Sequence, residues 1–206
     1  MRFIEFEQWG WNAVSMSFIG TIIFGLIFGW GLYQQILTIK KSNSGKSIPM
    51  VMSVYFAFHF FAFSVYGFRI HSLAMMLNGT FGFLWLGIYV CASRKVDSDG
   101  RTNLEYLFAL MPFIMALVPN PSVFLSIMLV TASFFLLDSP VEILRKKSAG
   151  SVEPKLLFCF MTSAVFWLIY SACISEWPLF TANVFGIVIM IITLVLWTKY
   201  KSPYQT

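Results

Sequence analysis

Residues 139–197 read SPVEILRKKSAGSVEPKLLFCFMTSAVFWLIYSACISEWPLFTANVFGIVIMIITLVLW, and this stretch decides the fold of the chain. A proline ends one apolar run, a basic loop follows, and two further apolar runs complete the unit. The same plan occurs about 105 residues earlier, in residues 33–90. The residues matched at one fixed offset are Leu37 and Glu142, Lys41 and Lys146, Gly45 and Gly150, Pro49 and Pro154, and Asn78 and Asn183. A repeat longer than about 50 residues exceeds a solenoid unit and, in an apolar chain, predicts two halves of a membrane bundle.

The composition of the chain is that of a membrane protein. Of the 206 residues, 58% are hydrophobic and 11% are charged, whereas soluble domains carry about 25% charged residues. The formal net charge of +5 comes from basic residues in short loops beside apolar runs, which argues against nucleic-acid binding. Cys91, Cys159 and Cys173 lie in apolar segments without metal-ligand spacing, so we predict neither a disulfide framework nor a metal site.

Seven apolar runs reach or approach the length of about 20 residues that a helix needs to cross a bilayer. The runs are too long for strands and lack sustained alternation, so the predicted fold is all-α. The predicted helices are Ala13–Ile39, Pro49–Phe68, Ser72–Ala92, Leu104–Val118, Ser122–Leu144, Pro154–Ile174 and Leu179–Tyr200.

The basic residues of the loops predict how these seven spans are oriented. One side collects twelve of them, namely Lys40, Lys41, Lys46, Arg94, Lys95, Arg101, Arg145, Lys146, Lys147, Lys155, Lys199 and Lys201. The other side has only Arg2 and Arg69, so the positive-inside rule places the N-terminus outside and the C-terminus in the cytosol. Helices 1–3 and 5–7 then form two parallel three-helix repeats, residues 1–96 and 121–206. A linker helix within residues 97–120 joins them in a 3+1+3 arrangement.

Several motifs in the second half resemble a known family. Pro140 is followed by a basic loop, by SVEP at residues 151–154, by FWLIY at 166–170 and by TANV at 181–184. This order resembles the second repeat of SWEET sugar transporters, the single repeat of bacterial SemiSWEETs and the wider PQ-loop (MtN3-like) family. The resemblance covers the triple-helix units of both halves and is closer in the second half. It implies a central substrate site between the repeats and alternating access by rocking of the two halves.

The resemblance also implies which residues bind substrate. The paired asparagines of the family match Asn78 and Asn183, and its tryptophan matches Trp167, with Phe63 at the equivalent place in the first half. Two amides that face each other can hydrogen-bond hydroxyls on both sides of a small ring, and aromatic faces can pack against the C–H groups of a sugar. Hydrogen bonds between helices are the alternative role for the asparagines, and core or lipid packing for the aromatics.

His59 and Ser163 complete the predicted substrate-binding set. Each precedes Phe63 or Trp167 by one helical turn and shares its face. An ionisable residue within a span is a functional hypothesis by default. His59 therefore binds substrate, carries a proton, or is a neutral histidine bonded to a neighbouring helix.

Two further groups of residues are predicted to serve the conformational change. The hinge residues are Pro140, which matches the hinge proline of the family, and Gln34 and Gln35, which stand where Pro-Gln would be expected in the first half. The gate residues are Asp138 and Glu142 near the predicted cytosolic end, and Arg69 and Glu176 in the outer loops. An interfacial ion-pair cluster is the alternative for the first gate pair, and a solvated loop is the alternative for the second.

The sequence carries no nucleotide-binding glycine loop, no HExxH motif and no Ser/His/Asp set, so we predict no enzyme, no catalytic residue and no cofactor. The predicted function is facilitative (uniport) transport of mono- or disaccharides across the plasma (inner) membrane. The partners are then a sugar and the lipid bilayer; a homo-oligomer is compatible with this reading, although one chain suffices for a complete site. The alternatives are a proton-coupled PQ-loop-type amino-acid transporter, for which His59 is the discriminating residue, and a seven-helix receptor that binds a ligand without moving it.

Overall fold

The computed structural model describes residues 3–7, 9–42, 50–94, 107–147 and 154–200, which are helical apart from short turns. The helices are α1 (Ile4–Glu7), α2 (Ala13–Ser42), α3 (Met50–Arg69), α4 (Leu73–Asn78), α5 (Phe81–Ser93), α6 (Met111–Leu117), α7 (Pro121–Lys146), α8 (Pro154–Cys173) and α9 (Trp177–Tyr200). Within the described part, five segments are long and apolar enough to cross a membrane, namely Ala13–Lys41, Met50–Arg69, Leu73–Ser93, Pro121–Arg145 and Trp177–Tyr200. The segment Leu157–Cys173 is apolar but shorter. This set of helices is typical of a multi-pass membrane protein.

The third predicted helix is interrupted, which corrects the prediction of one unbroken helix from Ser72 to Ala92. Its first part, α4, ends at Asn78, and α5 begins at Phe81. Between them the Thr80 N–H donates to the Leu77 carbonyl at 3.0 Å, and the Thr80 hydroxyl donates to the same carbonyl at 2.7 Å. Such bonds to the residue three positions back tighten a helix into a 3₁₀ turn. Asn78 therefore lies at a helix end rather than inside a regular helix.

The fourth predicted helix is described only in its second part. The structure shows α6 as Met111–Leu117, preceded by a turn. The predicted start at Leu104 lies outside the described residues. The complete 3+1+3 arrangement of seven spans therefore stays a prediction.

The two halves of the chain pack in the same way. In the first half α5 contacts both α2 and α3, and in the second half α9 contacts both α7 and α8. The halves meet along α2 and α8, where the rings of Phe24 and Phe166 stack with centroids 4.7 Å apart. A shared hydrophobic core joins α3 to α7 and α8, and in it the Tyr55 hydroxyl donates to the Met128 carbonyl. This packing leaves room for a cavity between the halves.

Substituting Gly79 by Ala is expected to destabilise the fold. A Cβ at this position would stand 2.2 Å from the Ser64 Cβ and 2.8 Å from the Phe60 carbonyl oxygen, so α3 and the turn after α4 would have to separate. Overpacking of this kind costs about 1–3 kcal/mol. Gly186→Ala is the matched control, because a Cβ there meets no atom within 4 Å. We expect a lower thermal unfolding midpoint in detergent for Gly79→Ala only, and equal midpoints for the two variants would contradict this packing.

Candidate substrate-binding site

A cavity of about 230 Å³ lies between the two halves, with walls from α2, α3, α4, α5, α7, α8 and α9. Most of the wall is apolar and aromatic. The side chains with polar atoms on the wall are His59, Asn78, Trp85, Ser133, Ser139, Ser163, Trp167 and Asn183. In the part of the chain that the structure describes, the wall carries no Asp, Glu, Lys or Arg. The cavity thus presents hydroxyl, amide, imidazole and indole groups on an aromatic background.

All six residues predicted to bind substrate line this cavity. They are Asn78, Asn183, Trp167, Phe63, His59 and Ser163. Four different helices place them there, α3 and α4 from the first half and α8 and α9 from the second. Each half contributes three of the six, so the predicted residues of both halves face the same cavity.

The two predicted asparagines differ in their surroundings. The Asn183 Nδ2 donates to the Leu179 carbonyl of its own helix at 2.7 Å. An amide has a second N–H and a carbonyl oxygen with two lone pairs, so one bond leaves most of its capacity for a ligand. Asn78 is half-buried at the end of α4, beside the tight turn. Each half therefore places one amide on the wall, the first at a helix end and the second within an unbroken helix.

The His59 ring lies between an aromatic neighbour and a tyrosine. It is parallel to the Phe63 ring at a centroid distance of 6.4 Å and an angle of 8°. Its Nδ1 lies 3.5 Å from the Tyr55 hydroxyl. Only 7% of the side chain is exposed. His59 thus packs against side chains of its own helix and lines the cavity.

An aromatic pair ends the cavity in one direction. Phe63 and Trp167 meet edge to face across the two halves, with centroids 5.7 Å apart and an angle of 71°. One turn further along α3 and α8 stand Tyr66 and Tyr170, both completely buried, and neither lines the cavity. We call this the closed end of the bundle, and its turns are residues 70–72 and 174–176. In the opposite direction the wall continues to Met52, near the start of α3.

Two of the predicted gate residues lie at the closed end. The Tyr66 hydroxyl donates to the Glu176 Oε2 at 2.7 Å and lies 3.1 Å from the Ser122 hydroxyl. Burial raises the pKa of the Glu176 carboxyl above its usual value, although the bond from Tyr66 acts in the opposite sense. The Arg69 Nη1 donates to the carbonyls of Met115 and Val118 at 2.9 and 2.6 Å, which ties α3 to the end of α6.

The remaining predicted gate and hinge residues lie away from the closed end or within unbroken helices. Asp138 is exposed on α7, and the Glu142 side chain lies outside the described part of the chain. Pro140 is buried inside α7, which continues to Lys146. A proline removes one hydrogen bond from a helix interior, so α7 is locally weaker here. Gln34 and Gln35 are half-buried in α2, which continues without a break to Ser42.

The sequence did not single out two aromatic residues of the wall, Phe56 and Trp85. Their rings stack with centroids 5.1 Å apart and an angle of 26°. The Trp85 Nε1 is buried and, among the described residues, has no hydrogen-bond partner. With 23 Phe and 7 Trp in the chain, composition cannot select them. Trp85 follows Asn78 by seven residues, but the break between α4 and α5 interrupts this spacing, so the sequence carried no clear signal for either residue.

Comparison with known proteins agrees with this architecture. Residues 123–205 match the family model MtN3_slv, which describes sugar efflux transporters for intercellular exchange. A solved eukaryotic SWEET transporter has a similar fold, with a TM-score of 0.67 over 91% of this chain and 96% of that chain, at 15% sequence identity. No curated protein matches at a significant level. The second half of this chain therefore matches a family of sugar efflux transporters, and the chain as a whole has the fold of a SWEET transporter.

Proposed function

We propose that the chain is a facilitative uniport carrier of small neutral sugars, which pass through the central cavity by alternating access. The observation that carries this proposal is the chemistry of the cavity wall. It combines aromatic side chains with amides from both halves and, among the described residues, no charged side chain. Aromatic walls with a few placed polar groups suit a neutral polyhydroxyl ligand. A zwitterionic amino acid would instead need partners for a carboxylate and an ammonium group, since burying unpaired charges is costly.

The size of the cavity favours a single sugar ring. Its volume is about 230 Å³, below the range of about 300–1,000 Å³ that is typical of pockets for drug-sized ligands. We therefore propose a monosaccharide as the substrate of this conformation. Asn78 and Asn183 hydrogen-bond its hydroxyl groups, and Trp167 and Phe63 cover one end of the ring.

We further infer that residues 1–96 and 121–206 are two parallel repeats, joined by a linker helix in residues 97–120. The matched backbone of the two closed-end turns supports this, because His71 and Ser175 both have a left-handed conformation, with φ of 59° and 60°. The loop charges support an orientation with the closed end outside the cell and the C-terminus in the cytosol. The structure is then an inward-facing form in a plasma (inner) membrane, with the cavity extending toward the cytosol.

The test is uptake of labelled neutral monosaccharides into proteoliposomes with no imposed ion gradient. We expect saturable uptake that a protonophore does not change. The second candidate is a proton-coupled amino-acid carrier, which the position of His59 on the cavity wall favours. Uptake of amino acids that requires an inward proton gradient would establish that candidate instead. Binding without flux would identify a receptor.

A further inference from the structure

Two tyrosines occupy equivalent positions at the closed end, and each donates its hydroxyl hydrogen to a carboxylate. Tyr66 and Tyr170 are 104 positions apart in α3 and α8. Tyr66 donates to Glu176, in the closed-end turn of the second half. Tyr170 donates to Glu5, in the short helix α1 that precedes α2. Both tyrosines are completely buried; the Tyr170–Glu5 bond is buried as well, and the Tyr66–Glu176 bond is partly buried.

The position in the first half that corresponds to Glu176 is Ser72. These residues are also 104 positions apart, and each follows a residue with left-handed backbone. The Ser72 N–H donates to the Gly67 carbonyl at 2.8 Å, as the Glu176 N–H donates to the Ser171 carbonyl at 2.9 Å. A serine at this position carries no negative charge. The turn of the first half therefore lacks the acid that the second half has.

The carboxylate of Glu5 occupies the place of the missing acid. Its Oε1 accepts hydrogen bonds from the Ser72 hydroxyl at 2.9 Å and from the Ala74 N–H at 3.0 Å, and its Oε2 accepts one from the Leu73 N–H at 3.0 Å. The Tyr170 hydroxyl bonds to the same carboxylate from the other half and lies 2.8 Å from the Ser72 hydroxyl.

Glu5 is held in place as a buried charge. It is completely buried, and the Ile4 N–H donates to the His71 carbonyl at 3.0 Å, which fixes the backbone of the segment. Burial opposes ionisation, but the bonds from Tyr170, Ala74 and Leu73 outweigh it and hold the pKa of the Glu5 carboxyl below its usual value. A buried ionised carboxylate is retained only where hydrogen bonds compensate its desolvation. Here those bonds come from both halves of the protein.

We propose that residues 3–7 form a strap across the closed end, and that Glu5 supplies the second of two tyrosine–carboxylate latches that hold the halves together there. The first latch, Tyr66 with Glu176, lies between the halves themselves. The second, Tyr170 with Glu5, exists only when the strap is docked on the turn of the first half. Opening of this end requires release of both latches. The role of the strap in transport rests on the proposed function, whereas the contact between Tyr170 and Glu5 and its effect on the closed end do not.

Removal of the Glu5 carboxylate shifts the equilibrium toward the form in which this end is open. In Glu5→Ala the closed form keeps two helix N–H groups without their acceptor and leaves the Tyr170 hydroxyl with the Ser72 hydroxyl as its remaining partner, whereas water reaches these groups in the open form. Unsatisfied buried donors are unfavourable, so the open-to-closed ratio rises by about tenfold or more. Glu5→Gln keeps the shape and one acceptor oxygen but loses the charge, so its shift has the same direction and a smaller size.

Distance measurement between spin labels tests the latch without any sugar. Labels are placed at Phe68→Cys and Trp177→Cys, which are exposed positions in the two halves at the closed end. The native Cys91, Cys159 and Cys173 are replaced by Ser beforehand. In nanodiscs, double electron–electron resonance is expected to show one short distance between the two labels in the protein that keeps Glu5. It is expected to show an added longer distance for Glu5→Ala, and a smaller amount of it for Glu5→Gln.

Two matched variants make the result specific to the carboxylate. Glu7→Gln changes an exposed acid of the same strap and is expected to leave the distances unchanged. Glu5→Ala with Ser72→Asp returns an acid to the turn of the first half, and Asp is also a good helix N-cap; this pair is expected to restore the short distance. The proposal is overturned if folded Glu5→Ala and Glu5→Gln show the unchanged distance, if Glu7→Gln shifts it equally, or if Ser72→Asp does not reverse the shift. Absence of sugar flux would contradict the proposed function and leave this outcome unaffected.

Discussion

Asn183→Leu is expected to reduce sugar uptake into proteoliposomes by about hundredfold. Leu has nearly the shape of Asn, so the wall keeps its volume while the amide disappears. A sugar hydroxyl at that position loses a donor and an acceptor, and two lost hydrogen bonds at about 1.4 kcal/mol each correspond to this factor. Among the described residues, the substitution removes one intrahelical bond, the one to the Leu179 carbonyl. The fold should therefore survive.

Thr181→Val is the control for this variant. Thr181 lies two residues earlier on the same helix, is exposed, and its hydroxyl donates to carbonyls of its own helix, those of Trp177 and Pro178. It is expected to transport at the unchanged rate. Initial rates at several sugar concentrations are the measurement, together with a thermal unfolding curve for each variant. If folded Asn183→Leu kept more than half of the unchanged rate, Asn183 would have no role in binding the sugar.

Gly186→Leu is expected to abolish transport and to leave the protein stable. Gly186 lines the cavity one turn after Asn183, and a Cβ built on it meets no atom within 4 Å. A leucine side chain there enters the cavity and occupies the space that the sugar ring needs. Replacing a helical glycine also raises helix propensity by about 1 kcal/mol, so the unfolding midpoint should not fall.

Side chains of increasing size at Gly186 distinguish a blocked cavity from a misfolded protein. Gly186→Ala adds one methyl group and is expected to transport slowly, whereas the leucine variant is expected to give the rate of empty liposomes. Uptake and the thermal midpoint are measured on the same preparations. Transport by Gly186→Leu at the unchanged rate would show that the sugar takes another path through the protein.

Helix positions were predictable because hydropathy and turn residues act locally. The second predicted helix, Pro49–Phe68, ends within one residue of α3 at Arg69, whereas its predicted start at Pro49 lies outside the described residues. The sixth, Pro154–Ile174, lies within one residue of α8 at Pro154–Cys173. A proline in the first turn fixes such a start whatever the tertiary packing, since it loses no hydrogen bond there. The position of Trp167 on the cavity wall was also predictable, from motif and repeat.

Features set by contacts between distant segments were not predictable. The turn after Asn78 depends on the approach of Gly79 to the Ser64 Cβ and the Phe60 carbonyl, which no local pattern indicates. Glu5 and Glu7 look alike in sequence, yet the first is buried and the second is exposed. Their difference arises because the turn at residues 71–74 offers hydrogen-bond donors to one of them only. Long-range geometry of this kind has no signature in hydropathy.

Counterflow in proteoliposomes tests most directly whether the central cavity is a path for sugar. Vesicles are loaded with an unlabelled neutral monosaccharide and diluted into a trace of the labelled sugar, with and without a protonophore. We expect labelled sugar to accumulate transiently above its equilibrium level, to the same extent in both conditions, and not at all with Gly186→Leu. If the folded, unchanged protein gave no accumulation above that of empty liposomes, or if Gly186→Leu gave the same accumulation, the cavity would not be the transport path.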